Sequence, residues 1–342
     1  MAHRITLQPS GHSYEVPDGA TVLNAGLGAG WNLPYSCRAG MCRTCQGRVV
    51  EGTVDYGEAH GAYLTQEMKA KGLALLCQAR PKSDCVVEVR ELSLQSVKPK
   101  IAPCLVKDIR KLAPDVAILE LRLPLNHALL FAAGQYVDIL LADGKRRSYS
   151  IATLPTLDGV MDIELHVRHS PGGLFTDQVF GGMKARDRLR LEGPLGTFYL
   201  REESDKPIIF LASGTGFGPI KAIIEYALSR GIKRPMALYW GCRAKADLYL
   251  PDLPRRWAES GVAFVPVLSD ALPADRWDGR TGFVHRAVMA DFPDLSGHQV
   301  YACGSPAMVG AARADFSALC GLPPDEFFAD EFLTEADLAK AV

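Results

Sequence analysis

The sequence predicts a multidomain chain of β and α/β class, with three modules in a row. A small cysteine-bearing module of strands and two helices comes first, then an antiparallel β module, then a doubly wound parallel sheet. Three observations carry this reading. Cys37, Cys42 and Cys45 crowd into one loop, and Cys77 follows at a distance. From Cys104 to about Leu200, short alternating runs (LVKDIRKL, VAILELRL, QYVDILLA, RRSYSIAT, MDIELHVR, DRLRLEG) are separated by turn residues, which predicts an antiparallel barrel. After Pro207, apolar runs (IIFLAS, MALYWG, VAFVPVL, QVYACG) alternate with helical stretches, the pattern of a parallel, doubly wound sheet. The expected divisions are 1–92, a linker over 93–103, 104–203 and 204–342.

A length of 342 residues suits two or three such modules. Lys and Arg (38) balance Asp and Glu (39), so nothing in the charge points to nucleic acid or an anionic membrane. The start, MAHRITLQPSG, has no signal-peptide pattern, and the longest apolar run is too short to span a bilayer. A cytoplasmic, monomeric protein is expected. The remaining cysteines, Cys85, Cys104, Cys242, Cys303 and Cys320, show no disulfide pattern. Apart from Cys303, they read as small buried hydrophobes.

In the first module, residues 3–8 and 12–16 read as strands. A helix from Thr21 to about Gly28 follows, with Asp18 or Thr21 as its cap. The cysteine loop comes next, then a strand near Arg48–Val50, a helix around Thr65–Lys71, and strands near Cys77 and Val86–Val89. The spacing C-x4-C-x2-C is that of plant-type ligands to a 2Fe–2S cluster. Gly40 supplies the tight bend such a loop needs. Four cysteines also suit tetrahedral zinc, but zinc sites usually pair two short knuckles. Spacing and ligand softness favour iron and sulfur, held by Cys37, Cys42, Cys45 and Cys77. The module resembles the β-grasp ferredoxins. Its nine basic and nine acidic residues lack the acidic docking charge of photosynthetic plant ferredoxins. Arg43 stands where that pattern has glycine or serine, and its side chain is expected to point outward.

The second and third modules resemble the ferredoxin–NADP reductase-like family. Arg147-Ser148-Tyr149-Ser150 matches its R-x-Y-S flavin motif. The resemblance implies that Arg147 pairs with the flavin diphosphate, Tyr149 lies against the isoalloxazine, and Ser150 offers its hydroxyl near N5. His166-Val167-Arg168 supports the match. Gly172-Gly173-Leu174-Phe175-Thr176 resembles the pyrophosphate turn, where backbone N–H groups meet phosphate at a helix start. Gly193 to Phe198 fits the closing loop. FAD is favoured over FMN, because FMN-using relatives carry their ferredoxin domain at the C-terminus.

Gly214-Thr215-Gly216-Phe217-Gly218-Pro219 follows an apolar strand and opens a helix, as a nucleotide-phosphate turn does. It departs from the family's G-G-T-G-x-A-P at Ser213 and Gly218. Tyr301-Ala302-Cys303-Gly304-Ser305-Pro306 resembles C-G-x-P, which implies that Cys303 sits beside the reacting carbon of the nicotinamide. Ordinary burial at a strand end is the other reading of Cys303. Phe328 is the candidate for shielding one flavin face, against plain core packing. The stretch from Gly241-Cys242-Arg243 to Tyr249 resembles NADH-using reductases. Against that, Arg243 and Lys245 follow a strand end, where cations could hold the 2′-phosphate of NADPH.

Taken together, the chain resembles the reductase components of bacterial multicomponent oxygenases. It also resembles, along its full length, the CDP-6-deoxy-3,4-glucoseen reductases of deoxysugar biosynthesis. Both resemblances imply NAD(P)H-dependent reduction of FAD and onward one-electron transfer through the cluster. The expected acceptor is a protein: an oxygenase component first, a dehydratase component as the alternative. A redox sensor would need an output element, and none is legible.

Overall fold

The computed structural model of the protein describes residues 2–92 and 97–334, in two compact units. One comprises Met1–Ser96 with Asp330–Val342, the other Val97–Ala329.

In the first unit, β1 (His3–Gln8), β2 (Ser13–Val16), β3 (Gln46–Glu51), β5 (Leu73–Leu75) and β7 (Cys85–Glu88) form a sheet in the order β2-β1-β7-β3-β5. β1 runs antiparallel to β2 and parallel to β7. The short β4 (Val54–Asp55) and β6 (Arg80–Pro81) pair separately. α1 (Val22–Gly28) starts where Thr21 Oγ1 accepts from the Asn24 N–H at 3.3 Å, so Thr21 is the cap. Thr65 caps α2 (Gln66–Ala70) in the same way. Ile5, Leu7, Val16, Leu23, Leu33 and Val87 are wholly buried and make the core. Cys77 is not at a strand end: β5 stops at Leu75, and Cys77 lies in the turn beyond it.

The second unit opens with an antiparallel sheet. Its strands are β8 (Lys100–Ala113), β9 (Val116–Arg122), β10 (Tyr136–Leu140), β11 (Arg146–Ser150), β12 (Asp162–Arg168) and β13 (Arg188–Leu195), ordered β11-β10-β13-β8-β9-β12. The expected closed barrel is not formed. The edge strands meet at one isolated bridge, Ile151 with Leu165, because β11 is short and only the residue beyond its end reaches β12. The expected linker 93–103 is also shorter, since Lys100 already pairs with Gly193 and Ile101 with Glu192. Pro103 is tolerated because this part of β8 is paired only to β13; pairing with β9 begins at Leu105. Residues 93–96 lie outside the described residues.

Along β12 the two-residue period divides the strand. Ile163, Leu165 and Val167 enter the core, whereas Glu164, His166 and Arg168 occupy the other face. α3 (Leu174–Gly181) follows that strand.

The parallel sheet contains β14 (Ile208–Ser213), β15 (Met236–Cys242), β16 (Val262–Leu268), β17 (Arg280–Thr281), β18 (Gln299–Gly304) and β19 (Phe327–Glu331), ordered β17-β16-β15-β14-β18-β19. Pairing from β17 across to β18 is parallel. Connecting helices are α4 (Phe217–Ser229), α5 (Asp252–Ala258), α6 (Val284–Asp291) and α7 (Pro306–Leu319). α6 and α7 cover the face that carries Leu211, Tyr239 and Val300. On the other face Phe217, at the start of α4, stacks on Trp240 at 4.0 Å and meets Trp257 of α5. Strand order reverses beside β14, so the crevice outside the ends of β14 and β18 is the place for a ligand. No helix among the described residues is long and apolar enough to cross a membrane.

Candidate functional site

The cysteine loop is bent by three left-handed residues within six positions: Arg38 (φ 54°), Gly40 (φ 73°) and Arg43 (φ 59°). At Gly40 the bend leaves no room for a side chain, because a Cβ would lie 2.9 Å from Gln78 Cγ and 3.1 Å from Ala59 Cα. Cys42, Cys45 and Cys77 are buried and Cys37 is half-buried. The thiols meet two by two, Cys37 with Cys42 and Cys45 with Cys77. Two thiol pairs suit the two irons of a 2Fe–2S cluster. N–H groups of Ala39 and Met41 point at Cys37, that of Thr44 at Cys42 and that of Gly40 at Cys77. Such a ring of donors suits an anionic cluster. The contact from Cys37 lowers the Cys42 thiol below its ordinary value against the opposing effect of burial.

Arg43 does not project into solvent. Its Nε donates to Tyr63 O at 2.9 Å, its Nη2 to Ala62 O at 2.9 Å, and its guanidinium lies over the Tyr63 ring.

In the second unit, β11 presents the flavin motif. Ser148 Oγ donates to Asp138 Oδ1 at 2.6 Å, so this hydroxyl serves the neighbouring strand. Ser150 is buried at the strand end, and Tyr149 is half-buried with its ring 5.2 Å from Phe175. Burial raises the Tyr149 hydroxyl above its ordinary value, so it stays protonated. Phe175 and Val167 are enclosed in the core and have only backbone to offer a ligand. α3 begins at Gly173 without a side-chain cap, beside Gly172 at φ 83°. Its first N–H groups are therefore open to phosphate. Thr176 Oγ1 ties the turn to Ser170 O at 2.9 Å, and Asp177 Oδ2 accepts from the Gly172 N–H. Leu174 is exposed.

His166 is buried with both ring nitrogens engaged, Nε2 to Glu164 Oε1 and Nδ1 to Tyr249 Oη, each at 2.8 Å. Lys221 joins this network, 3.5 Å from Glu164 and donating to Ala152 O at 2.8 Å. Arg168, on the same strand face, lays its guanidinium on Gly214; a Cβ there would sit 2.7 Å from Nη1. The polar face of MDIELHVR was the available signal for this cluster, although Glu164 and Lys221 escape a search by motif.

The two nucleotide turns are locked together. A Cβ on Gly216 would lie 2.1 Å from Cys303 O, and one on Gly304 (φ 134°) 2.2 Å from Ser213 Oγ. Cys303 is fully buried, while Pro306 opens α7 behind its cap, Ser305. Thr215 and Pro219 are buried in the first turn. α4 has no side-chain cap; it continues directly from the turn Gly214–Gly216, and the Phe217 N–H donates back to the Gly214 and Thr215 carbonyls. Phe328 packs 4.8 Å from the Tyr301 ring and 4.7 Å from the Arg201 guanidinium.

Family models match all three modules in order. Residues 5–82 match the 2Fe-2S iron-sulfur cluster binding domain, 103–199 the oxidoreductase FAD-binding domain, and 210–314 the oxidoreductase NAD-binding domain. The chain belongs to the iron–sulfur flavoprotein reductases. It is 41% identical to the CDP-6-deoxy-L-threo-D-glycero-4-hexulose-3-dehydrase reductase of Yersinia pestis, over 97% of this chain and 99% of that one. It is 36% identical to the terephthalate 1,2-dioxygenase reductase component 2 of a Comamonas species, over 98% of both. Among solved structures, the Amycolatopsis cytochrome P450 reductase GcoB aligns with a TM-score of 0.77 and 36% identity, covering 96% of this chain and 98% of that one. Like its family, this reductase is an NAD(P)H-dependent oxidoreductase that uses a 2Fe–2S cluster, FAD and a nicotinamide nucleotide.

Proposed function

We propose that this reductase takes electrons from NADH and delivers them singly to a separate acceptor protein, with residues 1–92, 104–203 and 204–342 serving cluster, FAD and nucleotide. The mixed sheet with β1 and β7 parallel supports a β-grasp reading of the first module. Cys37, Cys42, Cys45 and Cys77 hold the irons, and the surrounding N–H groups stabilise the negative charge. Arg147 and the open start of α3 take the FAD diphosphate, Tyr149 covers its ring, and Ser150 stands near N5. The turn Ser213–Pro219 takes the nucleotide phosphates, and Cys303 with Gly304 and Pro306 borders the nicotinamide. Phe328 borders the flavin from the C-terminal strand. When bound, these groups supply hydride donation, the change from two electrons to one, and single-electron exit. The protein's own contribution is position: buried motifs on rigid strand ends hold donor and acceptor in line and keep water out.

The observation that carries this reading is the four-thiol site on the same chain as the nucleotide turns. A reductase that releases free reduced flavin would have no use for it. A chain beginning at Val97 should keep FAD and reduce ferricyanide with NADH, but lose most reduction of cytochrome c. Equal cytochrome c rates with and without residues 1–96 would end the reading.

The acceptor we infer is the terminal component of an oxygenase. Relatives named for terephthalate dioxygenase, phenol hydroxylase and aromatic O-demethylation support it. A second reading, a CDP-hexulose dehydrase as acceptor, is favoured by the 41% identity to the Yersinia reductase. NADH-driven turnover with each purified acceptor separates the two. A monomer in the cytoplasm completes the proposal.

A further inference from the structure

Arg243, Arg168 and Lys245 border the nucleotide crevice; carboxylates face the two arginines, and a backbone carbonyl holds the lysine. Arg243 directly follows β15, at the carboxyl end of a parallel strand, where such sheets meet the ribose of a dinucleotide. Its Nη2 lies 3.1 Å from Asp115 Oδ2 and its Nε 3.3 Å from Asp247 Oδ2. Asp115 Oδ2 also lies 3.3 Å from Arg168 Nε, and Arg168 rests on the phosphate turn at Gly214. Lys245 is held by Asp275, whose carboxylate accepts the Lys245 backbone N–H and whose carbonyl accepts from Nζ. Asp115 comes from the other half of the unit, in the hairpin turn between β8 and β9. That turn is fixed by the His169 N–H donating to Asp115 O at 2.7 Å.

We propose that Asp115 is a specificity-determining residue: it ties Arg243 and Arg168 together and turns the site toward NADH and away from NADPH. Two arginines against Asp115 and Asp247 leave no net charge for a phosphate dianion, which also meets the Asp115 carboxylate itself. The second oxygen of Asp115, Oδ1, is buried without a hydrogen-bond partner. Oδ1 faces the protein interior, so the carboxylate acts on the crevice through Oδ2, whose charge a neutral ribose hydroxyl tolerates and a phosphate dianion does not. The 2′-hydroxyl of NADH therefore fits where the 2′-phosphate of NADPH is repelled. This rests on the nicotinamide reading above and adds the residue that selects between the two nucleotides.

The test is steady-state kinetics of the holoenzyme with ferricyanide, using NADH and NADPH. Asp115→Asn should raise the ratio of kcat/KM for NADPH over NADH about tenfold, mostly through a lower KM for NADPH, as expected for one charge removed near a dianion. High salt should shrink the gain. Adding Arg243→Ala to that variant should cancel it, because the released guanidinium is what binds the phosphate. Asp115→Ser, which also removes the charge, should repeat the shift if the asparagine variant folds poorly, with flavin content reporting the fold. A wild-type preference for NADPH, or a ratio unchanged in both Asp115 variants, overturns the proposal. Failure of the wild-type holoenzyme with both nucleotides would instead overturn the nicotinamide reading.

Discussion

Ser213 Oγ accepts the backbone N–H of Ser305 at 2.9 Å, a hydrogen bond between the two turns that border the nucleotide crevice. The residue that departs from the family's glycine thus fastens one turn to the other. A net hydrogen bond is worth about 1 kcal/mol, so Ser213→Ala should raise the KM for NADH about fivefold. Flavin content should stay constant. An unchanged KM would show that the turns hold each other without it.

Gly216 gives the harsher case. A methyl group there would stand 2.1 Å from Cys303 O, and both partners are backbone. Gly216→Ala should cost more than about 3 kcal/mol or abolish nucleotide-dependent reduction, beyond ordinary overpacking. Gly218→Ala meets His166 Nδ1 at 3.2 Å, a side chain able to shift by tenths of an ångström. Its cost should stay near 1 kcal/mol. Thermal melts of the two variants side by side give the comparison.

Acid should destabilise the second unit through its ion pairs. Burial tends to raise the Glu164 carboxyl, but His166, Lys221 and Arg110 outweigh it and hold the group at about 2. Arg122 and Lys107 hold Asp162 at about 2 as well. Both depressed values mean stability that is present above pH 4.5 or so and lost as pH falls toward 2. His166 is lowered by burial, so the unfolded chain takes up its proton first and adds to the same trend below pH 6.5 or so. Tm should therefore fall steeply between about pH 5 and 3. Glu164→Gln should flatten that slope while lowering Tm at neutral pH.

Arg43 joins strain to anchoring. A left-handed arginine costs about 1 kcal/mol, and its two bonds to the Ala62 and Tyr63 carbonyls return a similar amount. Arg43→Gly should leave stability nearly unchanged. Both hydrogen-bond acceptors are neutral carbonyls, so the cation should favour the reduced, more negative cluster. At roughly 1 kcal/mol of interaction, the variant's potential should drop by about 40 mV at low salt and by less at high salt. Redox titration followed by electron paramagnetic resonance measures it.

Much of this is legible in the sequence alone. The cysteine spacing pointed to the cluster loop, and strand–helix alternation after Pro207 gave the parallel sheet, because both are local patterns. What stayed hidden is non-local. Asp115 lies in a hairpin turn 128 positions from Arg243, and no periodicity links them. Closure of the antiparallel sheet depends on how far β11 reaches, which alternation alone does not measure. The anchoring of Arg43 needs the carbonyls of a turn some twenty residues on, in a stretch without regular elements.

The parallel pairing of β1 with β7 has a consequence for how this protein is made. The first strand of the sheet finds its central neighbour only when Cys85–Glu88 has emerged from the ribosome. Until then the loop bearing Cys37, Cys42 and Cys45 exists without a completed sheet beneath it, and Cys77 arrives late. Contacts so distant along the chain form slowly, leaving three thiols open to oxidation or to the wrong metal during synthesis. All four ligands can close on a cluster over a finished sheet only once the first ninety or so residues have been made.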